Sequence, residues 1–389
     1  MENSDLMTSP DPVSPPPRSP AAPAVVKGQV LLDRWRVTGW TRGGQAWVLT
    51  VDDLLRDRQC AIKVPIGGSR VSDEELIVLL RMRPHPYVVA LLDVLTVLNR
   101  QALLLEYAPA SLTDIIGTEF RPEILQEICA GMAHLSAMGE SVHLDLKPSN
   151  ILLDEAGHAK IADFGLSGLV RAPSGRFRRA RGGGTWAYAS PEQLRGEPCD
   201  CRADVYSFGV ILYQLCTGRL PYPFPLVVGG DDDAKRRQLL DYYASEGPGE
   251  RRKSLFMGAT VDGRRLALPP LDGRLGWVLS SCLDEHAGGR PRDFSDLSRM
   301  LTRQLGIDPA DSPASTLPWP DRCDRELALA RSLIRTGRGD EAVRVVNRLL
   351  AAGPDLPAEL LPETLKTARA ALACAGRGEE AALLRGPEE

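Results

Sequence analysis

Short apolar runs, separated by polar turns, fill the chain between residues 30 and 105. Five of these runs have the length and the aliphatic content typical of β-strands. They cover residues 35–37, 46–51, 60–64, 91–95 and 102–105. Between the third and the fourth run, apolar residues recur with helical spacing, which predicts a helix over residues 73–82. Ser72, followed three residues later by Glu75, is a capping-box pattern at the start of this helix.

Helical periodicity replaces the strand pattern from residue 124 onward. The predicted helices cover residues 123–137, 204–216, 275–284 and 293–305. Between the first two helices, the pattern over 151–162 predicts two short strands joined by a turn at Gly157. A small strand-rich part followed by a larger helical part is an α+β arrangement.

Proline-rich segments divide the chain into further parts. Residues 1–26 are dense in proline and offer little apolar surface to bury, so we expect a disordered arm. A second proline-rich stretch, 307–320, is expected to be a linker between the globular part at 27–306 and a helical tail at 321–389.

The tail contains an internal repeat. The segment Gly337-Arg-Gly-Asp-Glu-Ala recurs, with Glu in place of Asp, from Gly376, an offset of 39 residues, and helical patterns flank both copies. The repeat resembles tetratricopeptide units, which are helix–turn–helix pairs. About one and a half repeats cannot bury their own apolar face, since roughly three are needed. We therefore expect the tail to pack on the rest of the chain, to pair with another copy, or to bind a partner protein.

Composition narrows the functional classes. The 389 residues carry a net charge of −4 and are 43% hydrophobic, values typical of globular proteins. A charge so close to neutral argues against nucleic-acid binding, which needs a basic surface. The longest apolar stretch is too short for a membrane span, and the first residues lack the features of a signal peptide, so we expect a cytoplasmic protein. The eight cysteines have no zinc-ligand spacing and are expected to be reduced thiols.

The strongest chemical signal lies in the middle of the chain. His143-Leu-Asp145-Leu-Lys147-Pro-Ser-Asn150 is followed, after the predicted hairpin, by Asp163-Phe164-Gly165. The hairpin would bring Asp145, Asn150 and Asp163 close together. Carboxylate and amide oxygens are the ligands that Mg²⁺ prefers, and a nearby lysine would offset negative charge on a transferred group.

These two motifs resemble those of the protein kinase family. The resemblance implies that Asp145 accepts the proton of the substrate hydroxyl and that Asn150 and Asp163 hold Mg²⁺. Lys147, in the Asp-x-Lys-Pro-x-Asn form, is similar to serine/threonine kinases rather than tyrosine kinases. Structural roles are implied for His143, which we expect to pack rather than act as a base, and for Phe164 and Gly165.

The resemblance extends to the strand-rich part, where it implies an ATP site. Lys63, in Cys60-Ala61-Ile62-Lys63, would contact the α- and β-phosphates, with Glu75 as its partner and Glu74 as the alternative. Residues 41–48 resemble the glycine-rich loop, with Thr41 and Ala46 where glycines are usual. The implied nucleotide contacts of these regions are Thr41, Gly43, Gly44 and Ala46 at the phosphates, the backbone of Glu106 and Ala108 at adenine, and Val48, Ala61 and Leu152 around its ring.

Further motifs match the family downstream. Thr185 would contact the catalytic loop, and Asp204 lies in a segment that resembles the buried helix anchoring that loop. Arg290 is expected to pair with Glu192. Leu144 stands where many kinases carry the arginine that receives an activation-loop phosphate, so we expect activity to depend less on such phosphorylation. Residues 227–257 read as an insertion of unknown role.

Together these signals predict an α+β, bilobal protein kinase fold with an N-lobe at 27–107, a C-lobe at 108–306 and a helical tail. The expected activity is that of a bacterial serine/threonine kinase that uses ATP with Mg²⁺, or Mn²⁺, to phosphorylate proteins, including itself. One alternative is a pseudokinase scaffold that binds partners through residues 321–389. Another, a small-molecule phosphotransferase, is disfavoured by the peptide-shaping segment around Thr185 and Glu192.

Overall fold

The structure is a computed structural model. It describes residues 25–43, 46–66, 72–137, 142–163, 169–171, 177–179, 186–222, 232–245, 260–261, 264–265, 273–310 and 317–384. Residues 1–24 of the predicted arm lie outside this set, as do Gly44, Phe164, Gly165 and Thr185.

A six-stranded antiparallel sheet forms the first part of the chain, in the order β1-β2-β3-β4-β6-β5. Its strands are β1 (Val30–Leu31), β2 (Trp35–Arg42), β3 (Ala46–Asp53), β4 (Arg58–Pro65), β5 (Leu91–Val97) and β6 (Arg100–Glu106). Strand residues alternate in burial, so Leu49 and Val51 on β3 meet Cys60 and Ile62 on β4 in one core. All five strands predicted from the apolar runs are present.

Helix α1 (Asp73–Arg81) connects β4 to β5 and matches the predicted helix within one residue. Its first turn includes a hydrogen bond from the Leu76 N–H to the Ser72 carbonyl. With nine residues it is shorter than the length at which an isolated helix becomes stable in water, roughly 12–15 residues. Its stability therefore depends on packing.

The second part of the chain is helical. Its helices are α2 (Glu123–Ala137), α3 (Pro191–Arg195), α4 (Cys201–Thr217), α5 (Asp232–Ser245), α6 (Gly273–Cys282) and α7 (Phe294–Leu305). Ile128, Phe208 and Phe294 are fully buried in a second core, to which α2, α4, α6 and α7 contribute. Helices α3 and α5 pack together in a separate cluster. The small strands are β7 (Ala110–Ser111), β8 (Ile151–Leu153), β9 (Ala159–Ile161), β10 (Leu169–Arg171), β11 (Phe177–Arg179), β12 (Thr260–Val261) and β13 (Arg264–Arg265). Strands β8 and β9 form the predicted hairpin.

Four helices form the tail: α8 (Trp319–Arg335), α9 (Gly339–Leu350), α10 (Leu361–Cys374) and α11 (Gly378–Leu383). The two helix pairs turn at equivalent glycines, Gly337 with φ +74° and Gly376 with φ +75°. Positive φ is accessible to glycine at little cost, which explains the repeated residue.

The tail packs on the sheet side of the molecule. Leu76 and Leu80 of α1 share one apolar cluster with Leu329 and Leu333 of α8 and with residues of α9 and α10. Of the three outcomes expected for an incomplete repeat, the structure shows packing on the rest of the same chain. Among the described residues, no helix has the length and apolar content that crossing a membrane requires.

Candidate functional site

The loop between α2 and β8 carries three of the predicted site residues, Asp145, Lys147 and Asn150. It ends in a short 3-10 turn, Pro148–Asn150, that leads directly into β8. Lys147 Nζ donates a hydrogen bond to Asp145 Oδ2 at 2.9 Å. Asn150 Nδ2 donates to the Asp145 backbone oxygen at 2.9 Å. Lys147 thus holds the carboxylate of Asp145 and Asn150 holds its backbone, while 18% of the Asp145 side chain stays exposed.

A buried carboxylate on α4 anchors this loop. Asp204 is fully buried and accepts hydrogen bonds from the N–H groups of His143 and Leu144, at 2.8 and 2.7 Å. Leu144 has φ +53°, an unfavourable conformation for a leucine, and these bonds help to hold it there. Burial raises the pKa of Asp204, and the nearby His143 and the two N–H groups offset part of that rise. Asp204 thus ties α4 to the loop that carries Asp145.

Asp163, directly after β9, faces the same region. The Ala162 N–H donates to the Asn150 carbonyl at 2.8 Å, and His143 Nε2 lies 2.9 Å from the Ala162 carbonyl. These contacts fix the segment that carries Asp163 against the loop that carries Asp145.

Lys63 reaches this group from the sheet. Its Nζ donates to Asp163 Oδ1 at 2.5 Å, across 100 positions of sequence. The lysine of β4 and the polar loop therefore lie on one cleft between the sheet and the helical part. Backbone hydrogen bonds from the Val89 N–H to the Ile161 carbonyl and from the Ile161 N–H to the Tyr87 carbonyl join β9 to the segment before β5.

The predicted partner of Lys63 lies on α1. The backbone of Glu75 belongs to this helix, but its side chain, like that of Glu74, lies outside the described residues. A pair between Lys63 and Glu75 therefore stays a prediction.

The residues expected around a nucleotide base are Val48 on β3, Ala61 on β4 and Leu152 on β8, and this role stays a prediction. Val48 is the cross-strand neighbour of both Thr41 and Lys63, and Ala61 is the neighbour of Leu105. Val48, Ala61 and Leu152 are each only half-buried, although the residues that follow Val48 and Ala61 in their strands are fully buried. An apolar surface is thus open on one side of the sheet.

The two ends of this apolar surface carry backbone groups. At one end, the Gly43 N–H donates to the Ala46 carbonyl at 2.9 Å, which tightens the turn between β2 and β3. At the other end, the Glu106 N–H donates a hydrogen bond to the Ala90 carbonyl at 3.0 Å. The Glu106 carboxylate forms an ion pair with Lys160 at 2.8 Å. Ala108 follows in a half-buried segment after β6.

Glu192 and Arg290 form the ion pair expected from the sequence. Two parallel hydrogen bonds of 2.7 and 2.9 Å join them, and the Arg290 side chain has no exposed surface. Burial alone would raise the pKa of Glu192, but the hydrogen bonds and charge of Arg290 outweigh it, so the pKa is lowered.

Two contacts of the site were not predicted. Gln193 Nε2 donates to the Leu144 carbonyl at 3.0 Å and so joins α3 to the loop that carries Asp145. Lys160 forms the ion pair with Glu106 described above. The sequence contains only seven lysines, and this scarcity is the feature that could have drawn attention to Lys160 as a site residue.

The oxygen donors suit a small hard cation. Asp145, Asn150 and Asp163 offer two carboxylates and one amide, and the amide oxygen of Asn150 accepts no hydrogen bond from the described residues. Among all the residues that the structure describes, no group of three or more His, Cys, Asp or Glu side chains could hold a metal ion. A site with few protein ligands fits Mg²⁺, which keeps waters and binds substrate phosphates as further ligands.

Comparison with known proteins agrees with this geometry. A family model for the protein kinase domain matches residues 42–237. The chain is 29% identical over 194 residues to the serine/threonine-protein kinase PrkC of Bacillus subtilis, covering 46% of this chain and 30% of that protein. It is 32% identical over 213 residues to a probable serine/threonine-protein kinase of Corynebacterium efficiens, covering 50% and 32%. It is 30% identical over 211 residues to the probable serine/threonine-protein kinase PknB of Lactococcus lactis, covering 50% and 33%. The matches thus span about a third of each relative's length.

Proposed function

The chain belongs to the protein kinase family, and on that premise we propose that it transfers the γ-phosphoryl group of ATP to serine and threonine hydroxyls of proteins, including its own. One observation carries the proposal: Lys63 from the sheet meets Asp163 beside the loop that holds Asp145, Lys147 and Asn150. Protein kinases use ATP and a divalent metal, and phosphoryl transfer in them depends mainly on positioning and charge stabilisation.

Asp145 is proposed to orient the substrate hydroxyl and accept its proton. Its carboxylate is partly exposed to the cleft, and Lys147 fixes one of its oxygens. The ammonium of Lys147 also supplies positive charge where the transferred group would develop negative charge. His143, whose ring bonds the Ala162 carbonyl, is proposed to pack and orient the loop rather than to exchange protons.

Asn150 and Asp163 are proposed to hold the metal, Mg²⁺ or alternatively Mn²⁺. When bound, this ion would neutralise charge on the nucleotide phosphates. Lys63 is proposed to contact the α- and β-phosphates, with Glu75 orienting it from α1. Val48, Ala61 and Leu152 would enclose the adenine, and the backbone of Glu106 and Ala108 would bond its edge. The turn formed by Thr41, Gly43, Gly44 and Ala46 would cover the phosphates.

We also propose that the tail is a tetratricopeptide-like pair of helical hairpins. The support is its two helix–turn–helix units with equivalent turn glycines, Gly337 and Gly376. Its use as a surface for protein partners, and the cytoplasmic location of the protein, stay predictions.

Autophosphorylation of the purified chain with γ-labelled ATP and Mg²⁺ tests the proposed activity. Asp145→Asn removes the proton acceptor and should lower the initial rate by about 10²–10⁴-fold, the usual contribution of a general base. Lys63→Met should lower it strongly as well. Matched controls are Asp308→Asn, at an exposed aspartate, and Lys366→Met, at an exposed lysine; both should keep wild-type rates.

Two results would contradict the proposal. Asp145→Asn with the wild-type rate would remove Asp145 from the chemistry. A wild-type chain that binds ATP but labels neither itself nor added protein would favour the pseudokinase scaffold.

A further inference from the structure

One arginine of the tail is buried without a carboxylate. Arg325, on α8, is 7% exposed, and no described carboxylate forms an ion pair with it. Its guanidinium instead donates to four backbone carbonyls. These are the carbonyls of Leu91 at 2.6 Å, Leu79 at 3.2 Å, Leu80 at 3.0 Å and Met82 at 2.7 Å.

Three of those carbonyls lie at the C-terminal end of α1. The last four carbonyls of a helix have no partner within it and carry the negative end of its dipole. Arg325 therefore caps α1 from a different part of the chain, about 245 residues away. The fourth carbonyl, that of Leu91, begins β5, so one guanidinium ties the end of α1 to the sheet.

The tail also holds α1 elsewhere. Arg335 of α8 donates to Asp73, the first residue of α1, at 2.8 Å. Arg81, its last residue, pairs with Glu341 of α9 at 2.5 Å. Between these ends, the apolar side of α1 packs on α8. The tail thus contacts this nine-residue helix along its whole length.

Burying a charged side chain among carbonyls costs more desolvation free energy than burying an apolar side chain. Burial lowers the pKa of Arg325 to about 10, opposed by the charge of the adjacent residue Glu326. A leucine or methionine could fill the same volume without that desolvation. What the guanidinium adds is direction, because its donors lie in one rigid plane and fix the carbonyls they bond.

We propose that Arg325 is a positioning residue for phosphoryl transfer: by capping α1 it sets the place of the helix that carries Glu75 and, through it, of Lys63. The inference rests on the proposed function, because phosphoryl transfer in protein kinases requires two residues to be in place: the lysine that corresponds to Lys63 and the glutamate that corresponds to Glu75. The tail is then an internal activating element, supplied by the same chain.

The test uses the full-length chain with Arg325→Met, which keeps an unbranched apolar stem and removes every donor. Steady-state kinetics with ATP and casein as acceptor should show kcat reduced at least tenfold and KM for ATP changed less than threefold. Hydrogen exchange over residues 73–82 should accelerate at least tenfold, while exchange over 123–137 in α2 stays as in the wild type. Arg325→Lys, which keeps the charge with fewer donors, should recover part of kcat.

Arg322→Met is the matched control, because Arg322 lies on the same helix, is exposed, and contacts the Trp319 ring. It should leave both measurements unchanged. If Arg325→Met does not fold, Arg335→Met at the other end of α1 replaces it, with the same direction of change expected.

Distinct results separate the two proposals. Faster exchange in α1 with an unchanged kcat would overturn the positioning role and leave the kinase activity standing. A reduced kcat with wild-type exchange in α1 would overturn it as well. A wild-type chain without phosphoryl transfer would overturn the proposed function, and the positioning role with it.

Discussion

Arg290 and Arg325 are both buried guanidinium groups, but they differ in their partners. Arg290 meets the carboxylate of Glu192 through two hydrogen bonds, whereas the partners of Arg325 among the described residues are backbone carbonyls. Deleting one member of a buried ion pair leaves the other charge unpaired, which costs roughly 3–5 kcal/mol. The Arg290 contact is therefore expected to matter first for folding.

Arg290→Ala should lower the free energy of unfolding by about 3–5 kcal/mol, because Glu192 would keep its burial and lose its counter-charge. Denaturant unfolding of the purified variant measures the loss. Arg292→Ala is the control: this neighbouring arginine pairs with Asp296 at the surface, with 78% of its side chain exposed, and its removal should leave the midpoint unchanged. A soluble Arg290→Ala with wild-type melting would refute the prediction.

The same pair should make stability depend on pH. The pKa of Glu192 is lowered in the folded chain relative to the ordinary value of 4.5, so its contribution is present above about pH 4.5 and is lost as the pH falls below that value. Melting temperatures at pH 6 and pH 4 measure this loss. Glu192→Gln cannot titrate and should lose less stability over that interval. Equal losses in the two proteins would contradict the assignment.

At the scale of single residues, the sequence predicts contacts that a linear motif contains and misses those that only the fold creates. Two such contacts, that of Glu192 with Arg290 and that of Asp204 with the loop at His143, come from family motifs. In these motifs the residue type of each partner is specified. Arg325 has no such signature, because its partners are backbone carbonyls, which every residue possesses. Only the approach of α8 to α1 makes it distinctive.

Among the elements, the repeat in the tail places two glycines in contrasting surroundings. Gly339 begins α9, and Gly378 occupies the equivalent position in α11. A Cβ at Gly339 would lie 2.4 Å from the backbone nitrogen of Ala375, whereas a Cβ at Gly378 would meet nothing within 4 Å. The first glycine permits the close approach of α9 to the end of α10, and the second has no such role.

Gly339→Ala should therefore destabilise the tail by about 1–3 kcal/mol, the usual effect of overpacking, since backbone atoms must move to admit the methyl group. Gly378→Ala is the matched control and should be neutral, or slightly stabilising because alanine favours a helix over glycine. Thermal unfolding of both variants measures the difference. Similar midpoints would mean that the two helix ends separate easily.

Periodicity predicted most elements because apolar spacing is a local property. Helix α2 has the predicted bounds, Glu123–Ala137, and the hairpin at 151–162 turns at Gly157 as expected. Helix α5 was not predicted: its residues, Asp232–Ser245, are mainly polar and lie in the segment that reads as an insertion. Leu239 is its fully buried anchor against Leu194 of α3. The sequence leaves three possibilities open for the position of the tail, because the apolar face of an amphipathic helix does not specify which surface covers it.

For the molecule as a whole, two features bear on how the residues around Lys63 and Asp163 are held in place. Leu144 stands where many kinases carry a phosphate-receiving arginine, and it is 3% exposed in a cluster with Val142, Cys199 and Ala203. A buried leucine there cannot bind an activation-segment phosphate. The tail, in contrast, contacts α1 at both ends and along its length. We therefore expect order around the site to depend on contacts within the chain rather than on phosphorylation.

This arrangement predicts that phosphorylation of the activation segment is dispensable. Ser167 and Ser174 are two serines of the activation segment between Asp163 and Glu192, and both lie outside the described residues. Ser167→Ala with Ser174→Ala should keep the initial rate of substrate phosphorylation within about threefold of the wild type, because residue 144 is not an arginine that could receive a phosphate. The rate is measured with labelled ATP and casein, since autophosphorylation would lose its own acceptors. Thr185→Ala, at a hydroxyl proposed to support the catalytic loop, should lose activity in the same assay. A double variant that is nearly inactive would show that a phosphate orders the segment through another cation, and the tail would then be insufficient by itself.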